Sequence, residues 1–428
     1  MSEEKLIDRH LCFVSANAYP LFTDDESKSI GGVEARSVRL AEMMSDCFTK
    51  VSFAIRNTDG KVINDRGLNV VQYEPAVISN SPNPELAKID ADIYIVFESH
   101  CFTADVVRTC NIIGKPVIHW ATSFIDYDKA CTLDNYDPFY YDWIGRESAY
   151  CFYLANYLIS QTEDQKEMLY NNHGLKSIVI RNPFIIPEFL NERVEDIISS
   201  PTILWIGRSE PVFKRPEILL KIAQQLPEYR FLMILNNINS EYFNKIVKAK
   251  TGNVEIFEYV DPKEAERIYS NSNILLSTSS NEGFPNIFLH AISHGIPIIS
   301  LEVDPDGIFS RHGCGLNCNG DIGLAVQSIK TLINDKHKRE EIVKNAYNYA
   351  QKNHSIELIQ KQMVDFFSSI PLCVNNRHKW AEYKFDRSNE QLKSEYKQLQ
   401  INYDSLINNR IIKKLNIIRK IIGKKEWR

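Results

Sequence analysis

Residues 274–300 have the sequence ILLSTSSNEGFPNIFLHAISHGIPIIS. The apolar run 274–277 predicts a strand, and the small polar residues after it lead into a segment with helical apolar spacing. Pro285 fits the first turn of that helix, while Gly295 and Pro297 predict its end. Residues 297–300 predict the next strand. The stretch therefore has the strand–helix–strand order of a parallel α/β sheet.

The same alternation of short apolar runs and longer amphipathic segments continues outward from this stretch. Each predicted strand is separated from the next by enough chain for a crossover, which favours parallel sheets covered on both faces. The further predicted strands are residues 11–14, 51–55, 93–97, 116–119, 157–160, 202–206, 231–235 and 254–257, and the predicted helices include 33–44 and 216–225.

The length of 428 residues predicts two domains. Residues 188–201 are polar and precede a second cycle of strands, so we place the linker there. We predict two Rossmann-like α/β domains with a cleft between them, residues 1–195 and 196–365. From about residue 321 the pattern is helical, and residues 366–428 are predicted to form a helical extension that ends in a tail.

The composition limits the classes of function. The hydrophobic fraction is 44% and the net charge is −5, which is typical of a globular protein and gives no reason to expect a nucleic-acid partner. The first residues do not resemble a secretory signal, and no apolar run is long enough to span a bilayer. Nine scattered cysteines suit reduced thiols in the cytoplasm. Cys314 and Cys318 have no nearby partner pair, so no metal site is predicted.

The loop before the helix in the opening stretch suits an anion. Backbone N–H groups of Gly283 and Phe284, with Asn286 beside them, are predicted to lie at a helix N-terminus, where a phosphate binds readily. Glu282, just outside, can accept hydrogen bonds from sugar hydroxyls. Alternatively, Glu282 only caps the helix.

Two cations follow the first predicted strand of the second domain. Arg208 and Lys214 can converge on a diphosphate and stabilise the negative charge of a departing nucleotide. The alternative is that both are solvated surface charges. Arg215 is expected to be exposed or structural.

Two features of the first domain lie at predicted ligand-facing positions. Gly31 and Gly32 open a helix, where the lack of side chains lets the backbone approach a phosphate or sugar. They do not form a dinucleotide fingerprint and no Walker A sequence occurs, which excludes dehydrogenase and P-loop functions. His119 ends a predicted strand, where ligand crevices form in open α/β sheets; it is alternatively a structural histidine. Glu98 and His100 end another strand and are weaker candidates.

These segments resemble the family 4 retaining glycosyltransferases, over roughly residues 11–365. The family motif, a Glu, seven residues and a second Glu, maps its first Glu, which contacts the donor sugar, to Glu282. The second, which holds the ribose hydroxyls, falls on His290, which can make one hydrogen bond but not the bidentate pair of a carboxylate. The resemblance also implies that Arg208 and Lys214 bind the diphosphate.

Further positions follow from the same resemblance. The family has a Gly-Gly loop facing the donor phosphate, here Gly31 and Gly32, and often a His near the acceptor and the transferred sugar, here His119. It implies a GT-B fold in which residues 1–195 bind the acceptor and residues 196–365 bind the donor.

The implied activity is transfer of a hexose-type sugar from a nucleotide-diphosphate sugar, with retention and without a metal or other cofactor. The acceptor would be a saccharide or lipid-linked saccharide in polysaccharide, lipopolysaccharide O-antigen or capsule assembly. Two alternatives remain: a nucleotide-sugar epimerase of the same fold, and a non-catalytic partner subunit.

The end of the chain is basic and amphipathic. Apolar residues recur at helical spacing through residues 406–422, lysines and arginines occupy much of the remainder, and Trp427 nearly ends the chain. We predict that residues 405–428 lie on an anionic membrane surface, which would place the protein in the cytoplasm, peripheral to the inner face of the membrane. Alternatively, the apolar stripe packs on the protein or in a helical dimer.

Overall fold

Two parallel β-sheets organise the part of the chain that the structure describes. The computed structural model describes residues 6–23, 31–58, 60–76, 81–133, 146–187 and 201–374. The first sheet has the strand order β3-β2-β1-β4-β5-β6-β7 and the second the order β10-β9-β8-β11-β12-β13. Every pairing between neighbouring strands is parallel. The predicted fold class, two Rossmann-like domains, is confirmed.

The first half contains seven strands and five helices among the described residues. The strands are β1 (Ile7–Val14), β2 (Phe48–Arg56), β3 (Asn69–Tyr73), β4 (Ile93–Phe97), β5 (Val117–Trp120), β6 (Tyr157–Ser160) and β7 (Ile178–Val179). The helices are α1 (Gly32–Ser45), α2 (Pro84–Ile89), α3 (Cys101–Ile113), α4 (Arg146–Tyr153) and α5 (Glu163–His173).

The second half begins at Thr202, and the described helices continue from there to Ser369. The strands are β8 (Thr202–Arg208), β9 (Arg230–Asn236), β10 (Val254–Phe257), β11 (Ile274–Ser277), β12 (Ile298–Ser300) and β13 (Leu316–Asn317). The helices are α6 (Pro216–Gln225), α7 (Ser240–Ala249), α8 (Pro262–Ser270), α9 (Asn286–Ser293), α10 (Ile322–Asn334), α11 (Lys336–His354) and α12 (Ile356–Ser369).

The central strands are buried on both faces, which is why their sequences are nearly continuous apolar runs. All five residues of β4 and all four of β11 are buried. Helices cover the two faces of each sheet, so the carboxyl ends of the strands remain free to line a crevice.

The last described helix returns to the first half. Ile359, Met363 and Phe367 of α12 are fully buried in the core built around β1 and β4. The Phe367 ring lies 6.5 Å from that of Phe13, centroid to centroid. Arg9 also donates to the carbonyl of Phe367, at 2.8 Å. The predicted domain bounds remain a prediction, but α12 packs with the first sheet although it follows the second in sequence.

Most predicted elements coincide with observed ones. Helix α6 and strands β4, β6, β10 and β11 have the predicted bounds. Strands β3, β7 and β13 were not predicted: β3 has one buried residue of five, and the other two have only two residues each. Most of the predicted linker, and the basic tail, lie outside the described residues.

Candidate active site

A cavity of about 490 Å³ lies between the carboxyl ends of the two sheets and draws its walls from both halves. Seven of the main predicted site residues line it, as does the weaker candidate Glu98. The seven are Gly31, Gly32, Arg208, Lys214, Glu282, Phe284 and Asn286. The cavity therefore collects residues that are separated by more than 250 positions in sequence, as the predicted cleft requires.

The segment before α9 enters the cavity with its backbone in an extended conformation. Pro285 is the N-cap of α9, with φ −64° and ψ 120°, so it directly precedes the helix instead of lying in the first turn as predicted. Phe284 and Asn286 line the cavity, but Gly283 is buried beneath it. A Cβ on Gly283 would lie 2.5 Å from the carbonyl oxygen of Thr122, in the first half. The glycine thus allows the two halves to approach closely.

Lys214 and Glu282 form an ion pair in the cavity wall. Their side chains are 17% and 19% exposed, so the pair is screened from most of the solvent. The loop carrying Lys214 is held by the carboxylate of Glu210, which accepts from the backbone N–H groups of Phe213 and Lys214 at 2.6 and 3.1 Å. Thr278 also donates to the carbonyl of Lys214 at 2.6 Å. Lys214 is therefore fixed by its backbone as well as by its charge.

Arg208 and Arg215 have different environments. Arg208 ends β8 and lines the cavity, where no ion pair is found for it among the described residues. Arg215 pairs with Glu302 at 2.6 Å and donates from Nε to the carbonyl of Thr278 at 2.8 Å. Arg208 is thus available to an anionic ligand, whereas Arg215 holds the loop structure.

Amide side chains join the halves at the cavity. Asn286 donates to the carbonyl of Gly32 at 3.3 Å. Asn182 donates to the carbonyl of Phe284 at 3.2 Å and to Oδ1 of Asn286 at 3.0 Å, and its own Oδ1 accepts from Arg36 at 2.9 Å. Sequence analysis did not identify Arg36 or Asn182 as site residues, because nothing in their local sequence indicates this contact.

Two carboxylates line the cavity from the first half. Burial and the nearby charge of Glu98 raise the pKa of Glu34 to about 7, against the opposing effect of Arg208. Glu98 has a φ of +62°, and its carboxylate lies 3.4 Å from Nε2 of His100. Burial lowers the pKa of His100, but its contacts with Cys101 and Glu98 outweigh this and raise it to about 9.

The two predicted histidines do not line the cavity. His119 is fully buried, with Nε2 2.9 Å from Oγ of Ser99, and burial lowers its pKa. His290 stacks on Tyr269, with ring centroids 5.4 Å apart, and meets Phe184 edge-on at 4.8 Å. Burial lowers the pKa of His290 to about 4, so its ring is neutral at pH 7. Their predicted ligand contacts remain predictions.

Among known proteins, a family model resembles the second half of the chain. Residues 200–335 match the model of the family described as glycosyl transferases group 1. A search of curated protein sequences gave no match.

Solved structures resemble most of the chain. Anabaena Alr3699/HepE, solved with UDP and glucose, has a TM-score of 0.67 and 15% identity, covering 85% of this chain and all of that one. Sucrose-phosphate synthase from Thermosynechococcus elongatus has a TM-score of 0.65 and 16% identity, covering 84% of this chain and 98% of that one. The fold is GT-B.

A third structure with this fold belongs to a different enzyme class. A putative UDP-N-acetylglucosamine 2-epimerase from Listeria monocytogenes has a TM-score of 0.51 and 12% identity, covering 86% of this chain and 99% of that one. Likeness of fold at this level of identity therefore assigns no activity to this chain.

The described part of this GT-B chain has neither a metal-binding cluster nor a membrane-spanning helix. Within it, no group of three or more His, Cys, Asp or Glu residues is arranged to hold a metal ion. None of its described helices is both long enough and apolar enough to cross a membrane.

Proposed function

We propose that this protein transfers a sugar from a nucleotide-diphosphate sugar to a hydroxyl of a saccharide or lipid-linked saccharide. The observation that carries the proposal is the arrangement of the cavity: Arg208, Lys214 and the N-terminus of α9 lie on one side, and the first half closes the other. Cations and a helix N-terminus suit a diphosphate, and the partly buried Glu282 suits the hydroxyls of its sugar. The match of residues 200–335 supports the same activity.

The proposed reaction exchanges one bond at the anomeric carbon. The bond from that carbon to the diphosphate oxygen breaks as a bond to the acceptor oxygen forms, and a diphosphate oxygen takes the acceptor's proton. Arg208 and Lys214 stabilise the charge that develops on the diphosphate, most strongly in a closed and dry cavity. The reaction as proposed retains the anomeric configuration and uses no metal or other cofactor. Proton NMR of the product's anomeric signal tests retention.

The activity itself is tested by release of nucleoside diphosphate. We would incubate the full chain with UDP-, GDP- and ADP-sugars, with and without saccharide acceptors, and measure the nucleoside diphosphate formed. Lys214→Ala is expected to lower this release at least 100-fold, since removing one preorganised charge at such a site costs about 10²–10³ in rate. Lys221→Ala, an exposed lysine on α6, is the matched control. Full activity in Lys214→Ala would refute the assignment of Lys214.

The alternative is an epimerase, which the likeness to the Listeria structure favours. An epimerase converts the free nucleotide sugar without an acceptor, so its product is an isomeric nucleotide sugar. Chromatography of the nucleotide pool distinguishes the two enzymes, and absence of both products would indicate a non-catalytic partner subunit.

We further propose that the acceptor belongs to surface polysaccharide assembly and that residues 405–428 hold the protein on the inner face of the membrane. The basic amphipathic sequence of those residues supports membrane contact. Deleting them is expected to release the protein from vesicles that contain anionic lipid. An unchanged bound fraction would contradict this role for the tail.

A further inference from the structure

The cavity has a second set of charged groups that the proposed donor chemistry does not use. Glu34, Glu98 and Arg36 line it from the first half, whereas Arg208 and Lys214 line it from the second. The second-half wall therefore offers N–H donors for a diphosphate, and the first-half wall offers two carboxylates beside one guanidinium.

Glu98 is held in its position at a cost in backbone strain. It follows the last residue of β4 and has a φ of +62°, a region that a residue with a Cβ seldom adopts. Such strain persists where the surrounding structure imposes it, often at ligand sites. The side chain is 15% exposed, and His100, itself 10% exposed, lies beside its carboxylate.

The side chain of Glu34 lies against Gly31, at the start of α1. A Cβ on Gly31 would collide with the carboxylate of Glu34, so only glycine at that position allows the side chain to fold back over the start of α1. The mutual repulsion of Glu34 and Glu98, added to burial, raises the pKa of Glu34 to about 7. Hydroxyl groups that donate hydrogen bonds to the two carboxylates would relieve this repulsion.

Arg36 supplies hydrogen-bond donors next to these acceptors. It is 6% exposed, and its guanidinium lies 5.4 Å from the ring centroid of Phe97 and 5.6 Å from that of Trp120. Nη1 donates to Asn182 at 2.9 Å, but Nε and Nη2 have no partner within the described part of the chain. Buried donors without partners are rare in native proteins and call for a ligand or water.

We infer that Glu34, Glu98 and Arg36 form the subsite for the acceptor sugar. A ring hydroxyl can donate to a carboxylate and accept from a guanidinium at the same time, so neighbouring hydroxyls match this alternation of acceptors and donors. The two carboxylates select a neutral polyhydroxyl group over an anionic one. The inference rests on the proposed transferase function and adds the chemistry by which the acceptor is recognised.

The test separates acceptor binding from donor binding in the full-length protein. A panel of methyl hexopyranosides serves as the acceptor probe, and calorimetry gives the Kd of the nucleoside diphosphate. At pH 8, where Glu34 with its pKa of about 7 is mostly ionised, Glu98→Gln and Glu34→Gln are expected to raise the acceptor KM about tenfold or more, because each replaces a carboxylate that a hydroxyl uses. The Kd of the nucleoside diphosphate is expected to change less than the acceptor KM in both variants, because Arg208 and Lys214 of the opposite wall remain in place.

Glu42→Gln is the matched control, since Glu42 lies on the same helix but its side chain is 35% exposed and paired with Arg66. An acceptor KM within twofold of this control in both test variants would overturn the inference. It would also be overturned if the variants weakened nucleotide binding as much as acceptor binding, or if no glycoside accelerated turnover of a nucleotide sugar that binds. If the wild type binds no nucleotide and no nucleotide sugar, the proposed function itself fails.

Discussion

The ion pair of Lys214 and Glu282 means that the site neutralises its own charge when no ligand is bound. A diphosphate that reaches Lys214 has to displace a carboxylate, and a nucleoside diphosphate without a sugar leaves that carboxylate without a partner. A nucleotide sugar can instead offer hydroxyls to Glu282. The pair is therefore expected to disfavour the released product more than the donor.

Glu282→Gln tests this at the level of one residue. The neutral amide keeps the shape of the side chain but frees the charge of Lys214, so we expect nucleoside diphosphate to bind about tenfold more tightly. Transfer of the sugar is expected to fall in the same variant. Titration calorimetry of the ligand-free protein measures the first effect, and equal or weaker nucleoside diphosphate binding would contradict it.

His290 is expected to make stability depend on pH. Its pKa in the folded protein is about 4, below the usual histidine value of 6.5, because burial disfavours the charged ring. As pH falls below 6.5, the unfolded chain takes up a proton that the folded protein excludes, so stability is lost between about pH 6.5 and 4.

His290→Phe removes this contribution while it preserves the ring stacked on Tyr269. Between pH 7 and pH 5, the free energy of unfolding is expected to fall by about 2 kcal/mol less in His290→Phe than in the wild type. Urea unfolding at the two pH values measures the difference. An identical fall in both proteins would show that His290 is charged or solvated in the folded state.

At the scale of elements, the loop before α9 is fitted to the opposite half of the molecule. An alanine at position 283 would place its Cβ 2.9 Å from Nε2 of Gln165 and closer still to the backbone of Thr122. Since backbone cannot move aside cheaply, Gly283→Ala is expected to hold the halves apart and lower kcat/KM at least tenfold.

Gly252→Ala is the control for this variant, because no atom lies within 4 Å of the position its Cβ would take. Its kcat/KM is expected to match the wild type. Equal activity in both alanine variants would show that the contact between Gly283 and Thr122 has no role in catalysis.

A strand or helix could be predicted from the sequence where its own residues carry the apolar pattern of that element. Strands β4 and β11 are short apolar runs bounded by polar residues, so their sequences specify them. The segment from Glu282 to Asn286 can be identified as a candidate site from sequence, because its motif consists of consecutive residues. Arg36 and Asn182 could not be recognised in this way, since their contact arises only when α1 and the loop after β7 meet. The burial of His290 likewise depends on Phe184, which is distant in sequence.

At the scale of the whole molecule, α12 is part of the first half's core. Phe367 is fully buried between Phe13 and Phe48. Phe367→Ala is expected to lower the free energy of unfolding by about 3–5 kcal/mol, the cost of such a cavity in a core. Leu372→Ala, at a residue that is 51% exposed, is expected to change it by less than about 0.5 kcal/mol. Urea unfolding of the two variants decides whether α12 supports the first half.

Two chain halves with a cleft could be inferred from the repeated strand pattern, but the return of α12 could not. An amphipathic helix shows which of its faces is apolar but not which sheet that face covers. Only the assembled core shows that Met363 and its neighbours complete the first half rather than the second.

The backbone passes between the halves twice, and the two passages are bonded to each other. Phe184 donates its N–H to the carbonyl of His354 at 2.7 Å and forms a parallel bridge with Ser355. These two crossing segments form a joint. Two segments bonded side by side restrict the twisting of one half relative to the other far more than a single segment does. Opening of the cleft is therefore expected to follow a single rotational path about this joint, so that Asn286 and Gly32 return to the same register each time the cleft closes.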